Sequence, residues 1–164
     1  MVANHQSMGD IIILYKIRAQ FKWVAKDSLF RVPVLGWIMS LIKHIRLLRG
    51  DMSSIKKVYR EAAVWLRGGM SVLFFPEGTR SDTDEMNPFQ NGAFKLALKE
   101  RVPVLPIAIN GTRDAIPKGS WVFDHKVKGS LTVLPPIETK DMGPGDFDLL
   151  RDRAREAIEK QLSS

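Results

Sequence analysis

The chain has 164 residues, a length that suits one domain, and it is 45% hydrophobic, too apolar for a disordered segment. Lysine and arginine number 25 against 18 acids, so the net charge is +7 and the pI about 9.8, a balance that favours anionic partners: phosphates, an acidic membrane surface or nucleic acid. With no cysteine there is no thiol nucleophile, disulfide framework or thiolate metal site, and three histidines (His5, His44, His125) without His-Glu-x-x-His spacing speak against a zinc enzyme.

Met1-Val2-Ala3 reads as the end of a buried strand, and residues 7–20 as a helix. Residues 21–25 form a short strand. Residues 35–42 read as a buried helical turn or two, opened by Pro33 and Gly36. The clearest helix covers 53–67, where Ile55, Val58, Ala62, Trp65 and Leu66 recur at helical steps before Gly68-Gly69. Val72-Leu73-Phe74-Phe75 is a continuous apolar strand of the kind found in parallel sheets. A helix over 89–100 and a strand over 102–109 follow, with Pro103 and Pro106 pointing to a strand edge or a bend near a cleft. Leu131-Thr132-Val133-Leu134 closes the sheet. Asp146 can cap a last helix that keeps Leu150, Ala154, Ala157 and Ile158 on one face.

This order predicts an α/β fold: a mixed, largely parallel β-sheet flanked by helices, as a single domain over 1–164. No signal peptide is expected, and no spanning helix. The longest apolar run, 34–42, is interrupted by Gly36 and Ser40 and falls well short of the ~20 residues a bilayer requires. Any membrane contact is expected to be peripheral.

Two constellations could carry chemistry. Asn4-His5-Gln6-Ser7-Met8-Gly9-Asp10 sits where a strand ends and a helix begins. Positions five apart on a helix diverge by about 140°, so His5 and Asp10 meet only if His5 lies in the loop. A carboxylate on one imidazole nitrogen would fix the tautomer and leave the other to take a proton from an alcohol. Ser7-x-x-Asp10 is also a helix capping box with Ser7 as N-cap, and taken alone that is the preferred reading. In Phe75-Pro76-Glu77-Gly78-Thr79-Arg80-Ser81 a tight turn follows a strand. Backbone N–H groups near Gly78 and the planar fork of Arg80 suit a phosphate, although a strand exit with a solvated arginine is an equal reading. The basic stretch Lys43, His44, Arg46, Arg49 follows the apolar run and could rest on an anionic membrane. A core helix followed by a solvated turn is the preferred reading for all but Arg49.

Together these residues resemble the glycerolipid acyltransferase family, whose best-known members are 1-acyl-sn-glycerol-3-phosphate (lysophosphatidic acid) acyltransferases. Asn4-His5-Gln6-Ser7-x-x-Asp10 is similar to the family's first motif; residues 26–33, Gly36 and Arg49-Gly50 to its second; residues 75–81, Pro88-Phe89 and Gly92-Ala93 to its third. Val102-Pro103-Val104 with Pro106 is similar to the fourth, and Gly111-Thr112 and residues 117–120 follow in the usual place. A six-residue match such as Phe-Pro-Glu-Gly-Thr-Arg has a chance rate on the order of 10⁻⁸ per position.

The resemblance implies that His5 is a general base on the acceptor hydroxyl and that Asp10 orients it. It implies that Arg49, Thr79 and Arg80 hold the acceptor phosphate while Glu77 and Gly78 shape that pocket. It implies direct attack on acyl-CoA or acyl carrier protein as co-substrate, with no metal and no other cofactor, giving phosphatidic acid in phospholipid biosynthesis at the cytoplasmic face of a membrane. The second motif departs from the family's pattern: Leu48 precedes Arg49 where Asp is frequent, and Lys43-His44 stand where a Gly is frequent. Family members usually carry membrane-associated helices and a full strand ahead of the His motif, so an N-terminal truncation is expected. The competing readings are transfer to another lysophospholipid or glycerol-phosphate acceptor, a non-catalytic fragment that binds anionic lipid, and a hydrolase using Ser7, although no Gly-x-Ser-x-Gly elbow occurs. Nucleic-acid binding is the weakest, because the basic residues are dispersed.

Overall fold

In the computed structural model, residues 1–81, 83, 85–116 and 127–163 are described. They group into two compact units, Met1–Ala19 with Phe75–Ser164, and Gln20–Phe74.

The first unit is built on a three-stranded sheet in the order β1 (Val2–Ala3), β5 (Pro106–Asn110), β6 (Ser130–Val133). β1 runs parallel to β5, with Val2 opposite Pro106 and Ala3 opposite Ile107, and β6 is antiparallel to β5. The prolines do not mark an edge: β5 is the central strand. Pro106 is tolerated because it is the strand's first residue, where its carbonyl accepts from Leu134 N–H at 3.0 Å and no N–H is required. The strand starts later than predicted, since Val104 makes only an isolated bridge to Ile137.

Among the described residues this unit also holds three α-helices, α1 (Gly9–Leu14), α4 (Gly92–Glu100) and α5 (Phe147–Leu162). Leu150, Ala154 and Ile158 of α5 are fully buried in a core with Phe89, Phe94, Ala97, Val104 and Ala108. That is the predicted face, with Ala157 at its margin. Asp146 stands at the N-cap position of α5, but its carboxylate turns back to Gly143 N–H at 2.7 Å and does not cap the helix. The helix predicted over 7–20 is much shorter. Ile11, Ile12 and Ile13 are β-branched, poor helix formers, and the chain closes into i−3 turns at Lys16 and Ile17.

In the second unit β2 (Phe21–Lys26) lies between β3 (Ile45–Leu47) and β4 (Ser71–Leu73), all parallel. The strand β3 was not predicted, because three residues offer too little alternation to register. α3 (Met52–Arg67) packs against the sheet through buried Val58, Ala62 and Ala63, and Asp51 caps it by accepting from Ser53 N–H at 2.8 Å. α2 (Leu35–Leu41) sits against the 3₁₀ turn Asp27–Arg31. Only Gly36 and Met39 of α2 are buried, so the expected core helix is instead largely exposed. A Cβ at Gly36 would lie 2.1 Å from the Phe30 carbonyl oxygen, which explains why the turn and helix can touch only at glycine. Gly36→Ala is therefore expected to destabilise the protein by about 1–3 kcal/mol or more, read as a lower urea midpoint; an unchanged midpoint would contradict this packing.

Candidate active site

β1 ends at Ala3, and its ladder is continued by a side chain. The Asn4 carboxamide donates to Ile109 C=O and accepts from Ile109 N–H, both at 2.8 Å. Asn4 thus imitates a peptide group while the backbone turns away, and His5 falls in the loop, as the spacing to Asp10 requires. Because β1 and β5 are parallel, their C-terminal ends lie side by side. Residues just beyond each strand meet there, where open α/β sheets commonly bind ligands.

The Asp10 side chain is fully buried. Its Oδ2 accepts from His5 Nδ1 at 2.7 Å, from Gln6 N–H at 2.7 Å and from Ser7 N–H at 3.0 Å. Its Oδ1 accepts from the Thr112 hydroxyl. Thr112 N–H in turn donates to Gln6 Oε1 at 3.3 Å. An ionised carboxylate only accepts, so Nδ1 carries the proton and Nε2 is the nitrogen left with a lone pair. The imidazole stacks on Phe75, with ring centroids 4.1 Å apart and planes 23° apart. Only half of the expected capping box forms: the carboxylate that holds His5 also accepts from Ser7 N–H, but the Ser7 hydroxyl accepts from Gly9 N–H and Met8, without a side-chain cap, stands at the N-cap position of α1.

The loop over 75–81 grips the same turn from the other side. Glu77 Oε1 accepts from His5 N–H at 2.7 Å and Oε2 from Asn87 N–H at 2.8 Å. Ser81 N–H donates to His5 C=O at 2.9 Å. Glu77 is buried, and burial raises its pKa, with the two backbone N–H bonds and neighbouring His5 opposing that shift. Gly78 takes φ +72, and a Cβ there would also lie 2.7 Å from the Gln90 amide nitrogen, so the turn needs glycine on two counts. Thr79 is exposed and Arg80 half-buried on this loop.

The first unit thus brings together His5, Asp10, Glu77, Gly78, Thr79 and Arg80. Arg49 belongs to the second unit, exposed in the turn between β3 and α3. Sequence reasoning gave no role to Thr112, Gln6 or Phe75. Gly111-Thr112 is part of the family-like pattern, but its reach to Asp10 exists only once β1 pairs with β5. Ser7 is not placed as a nucleophile. Its hydroxyl donates to Ile116 C=O at 3.2 Å and accepts from Gly9 N–H at 3.2 Å and Ile116 N–H at 3.3 Å. Residues 117–120 and His125 lie outside the described residues. Among the described residues no group of His, Asp and Glu is arranged to hold a metal ion.

A half-buried His5 on a fully buried Asp10 thus stands in the same unit as the glycine turn that bears Arg80. The family model described as Acyltransferase matches residues 1–110, and the chain belongs to that family. It is 37% identical over 163 residues to the chloroplastic 1-acyl-sn-glycerol-3-phosphate acyltransferase BAT2 of Brassica napus, covering 99% of this chain and 46% of that one. A 1-acyl-sn-glycerol-3-phosphate acyltransferase of Pseudomonas aeruginosa is 30% identical, over 99% of this chain and 63% of the relative. The crystal structure of PlsC from Thermotoga maritima, a 1-acyl-sn-glycerophosphate (LPA) acyltransferase, superposes with a TM-score of 0.78 at 30% identity, over 98% of this chain and 64% of that one. The chain thus spans about half to two thirds of the length of these relatives.

The raised pKa of Glu77 has a stability consequence. The folded state holds this proton more tightly than the unfolded state, so the contribution is present below the ordinary value of 4.5 and is lost as pH rises through the raised one. Glu77→Gln is expected to remove that component, giving a flatter dependence of the urea midpoint on pH upward from 4.5. Parallel pH profiles of variant and parent would contradict it.

Proposed function

We propose that the protein is a 1-acyl-sn-glycerol-3-phosphate acyltransferase. His5 Nε2 removes the proton from the free hydroxyl of lysophosphatidic acid as its oxygen attacks the thioester carbonyl of acyl-CoA or acyl carrier protein. The new ester C–O bond forms, the C–S bond breaks, and the proton passes to the departing thiolate, leaving phosphatidic acid and free thiol. Asp10 holds the imidazole in the Nδ1–H tautomer and stabilises the imidazolium. Arg80 and Thr79 hold the acceptor phosphate, which positions the hydroxyl against the thioester. Glu77 and Gly78 keep that loop in shape. No cofactor besides the thioester co-substrate is required. The protein works as a peripheral protein on an anionic membrane surface at its cytoplasmic face, a reading supported by the net charge of +7. No helix among the described residues is long and apolar enough to cross a membrane.

The observation that carries the reading is the 2.7 Å bond from His5 Nδ1 to a fully buried Asp10, which leaves one basic nitrogen fixed in orientation. The names of the relatives supply the acceptor. The test is thiol release from acyl-CoA with lysophosphatidic acid, followed with a chromogenic thiol reagent; the chain has no cysteine to add background. Release that depends on the acceptor is expected, with His5→Ala lowering it by at least about 10²–10⁴-fold without unfolding the protein. Arg80→Ala is expected to impair a phosphate-bearing acceptor far more than a phosphate-free one. Unchanged turnover in His5→Ala, or equal loss with both acceptors in Arg80→Ala, would refute the assigned roles.

A further inference from the structure

The second unit carries an exposed apolar helix face. Val34, Trp37, Ile38 and Leu41 recur at helical spacing and are all exposed, Trp37 by 67% and Leu41 by 81%, with Ile42 beside them. Both ends of α2 hold non-glycine residues at positive φ. Val34 has φ 65 and ψ −58, a γ-turn closed by Leu35 N–H to Pro33 C=O at 2.7 Å. Lys43 has φ 60 and ends the helix as a Schellman motif: its N–H donates to Ser40 C=O, and His44 N–H donates to Met39 C=O. That position normally takes glycine, and backbone strain of this sort gathers at functional surfaces.

Directly beyond α2 lies an open surface hollow of about 570 Å³ lined by Lys43, Lys57, Arg60 and Trp65, with Glu61, His44 and Val64. Glu61 pairs with Lys57 at 3.7 Å, so cations remain in excess. Lys22 joins the wall of the hollow to the helix end: its ammonium lies 4.3 Å over the Trp65 ring and donates to Ile42 C=O at 2.6 Å. The other flank is basic too, since Arg31 and Arg46 share a single carboxylate, Asp27.

We infer that α2 is the element that seats the protein in an anionic lipid surface, its apolar face entering the interface while the hollow of Lys43, Lys57 and Arg60 takes a lipid phosphate headgroup. This rests on the peripheral-membrane reading above and assigns it to particular residues. An apolar face rimmed by cations fits an acidic lipid surface. A second copy of this chain fits worse, because a two-fold contact would set the cations of one α2 against those of the other.

The test uses the whole chain and phosphatidylcholine vesicles with or without 30% (by design) phosphatidylserine, in a co-sedimentation assay, with brominated lipid to quench tryptophan. Trp37→Ala with Leu41→Ala is expected to weaken partition at least about tenfold, and Trp37→Phe to abolish most quenching while keeping binding. Lys57→Glu with Arg60→Glu is expected to erase the preference for phosphatidylserine. Lys43→Gly separates binding from folding: it should raise the melting temperature, because glycine suits the αL backbone, yet weaken binding to the anionic vesicles about fivefold. Full vesicle binding by the Trp37/Leu41 variant would overturn this inference and leave the peripheral reading standing. Failure of the unaltered chain to bind any vesicle would overturn both, as would dimerisation through α2 without vesicle binding.

Discussion

The Asp10 carboxylate is the constraint around which the first unit is arranged. A buried charge is costly unless several donors meet it, and here they come from the loop after β1 (His5 Nδ1, Gln6 N–H, Ser7 N–H) and from Thr112 beyond β5. Satisfying that one group fixes the start of α1, the orientation of the imidazole and the join between the β1 and β5 ends. Glu77 repeats the device with His5 N–H and Asn87 N–H. His5 is therefore held through its ring by one carboxylate and through its backbone by another, while Phe75 covers a ring face. In the proposed role of general base, a side chain held at so many points would lose little to reorganisation when the substrate hydroxyl arrives.

Much of this was legible in the residues. The five-residue gap between His5 and Asp10 closes only in a strand–loop–helix setting, and the sequence reads as that setting. Ser7-x-x-Asp10 reads as an alternative to a His–Asp pair, but one carboxylate oxygen accepts both from Ser7 N–H and from His5 Nδ1. Thr112 was not legible: it lies 102 positions from Asp10, and only the parallel pairing of β1 with β5 joins them. The shape of the 75–81 loop was readable because Gly78 has to take positive φ, whereas the partner of Glu77 was not, since a glutamate beside a phosphate-like turn gives no hint that it faces a backbone N–H.

The largest difference concerns α2. A short apolar run reads the same whether it is core or exposed, because hydrophobic composition carries no direction and seven residues give little periodicity. Two local signs were nonetheless present. Gly36 stands where the Phe30 carbonyl leaves no room for a side chain. Lys43 occupies a place where glycine is frequent, and the structure shows why glycine would suit it. Missing β3 follows from the same limit: three residues cannot announce a strand that its neighbour β2 creates by pairing.

The account stands on the claim that Asp10 acts on the reaction through His5 and is more than a fold anchor. Asp10→Asn tests it most directly. The amide keeps the size of the side chain, and its oxygen in the Oδ2 position still accepts from His5 Nδ1–H, Gln6 N–H and Ser7 N–H while its NH₂ faces the Thr112 hydroxyl, but it carries no charge for the imidazolium. The account predicts a folded variant, with tight substrate binding retained and kcat for thiol release down by about 10³–10⁴-fold. A folded Asp10→Asn protein that turns over at the parent rate would contradict it.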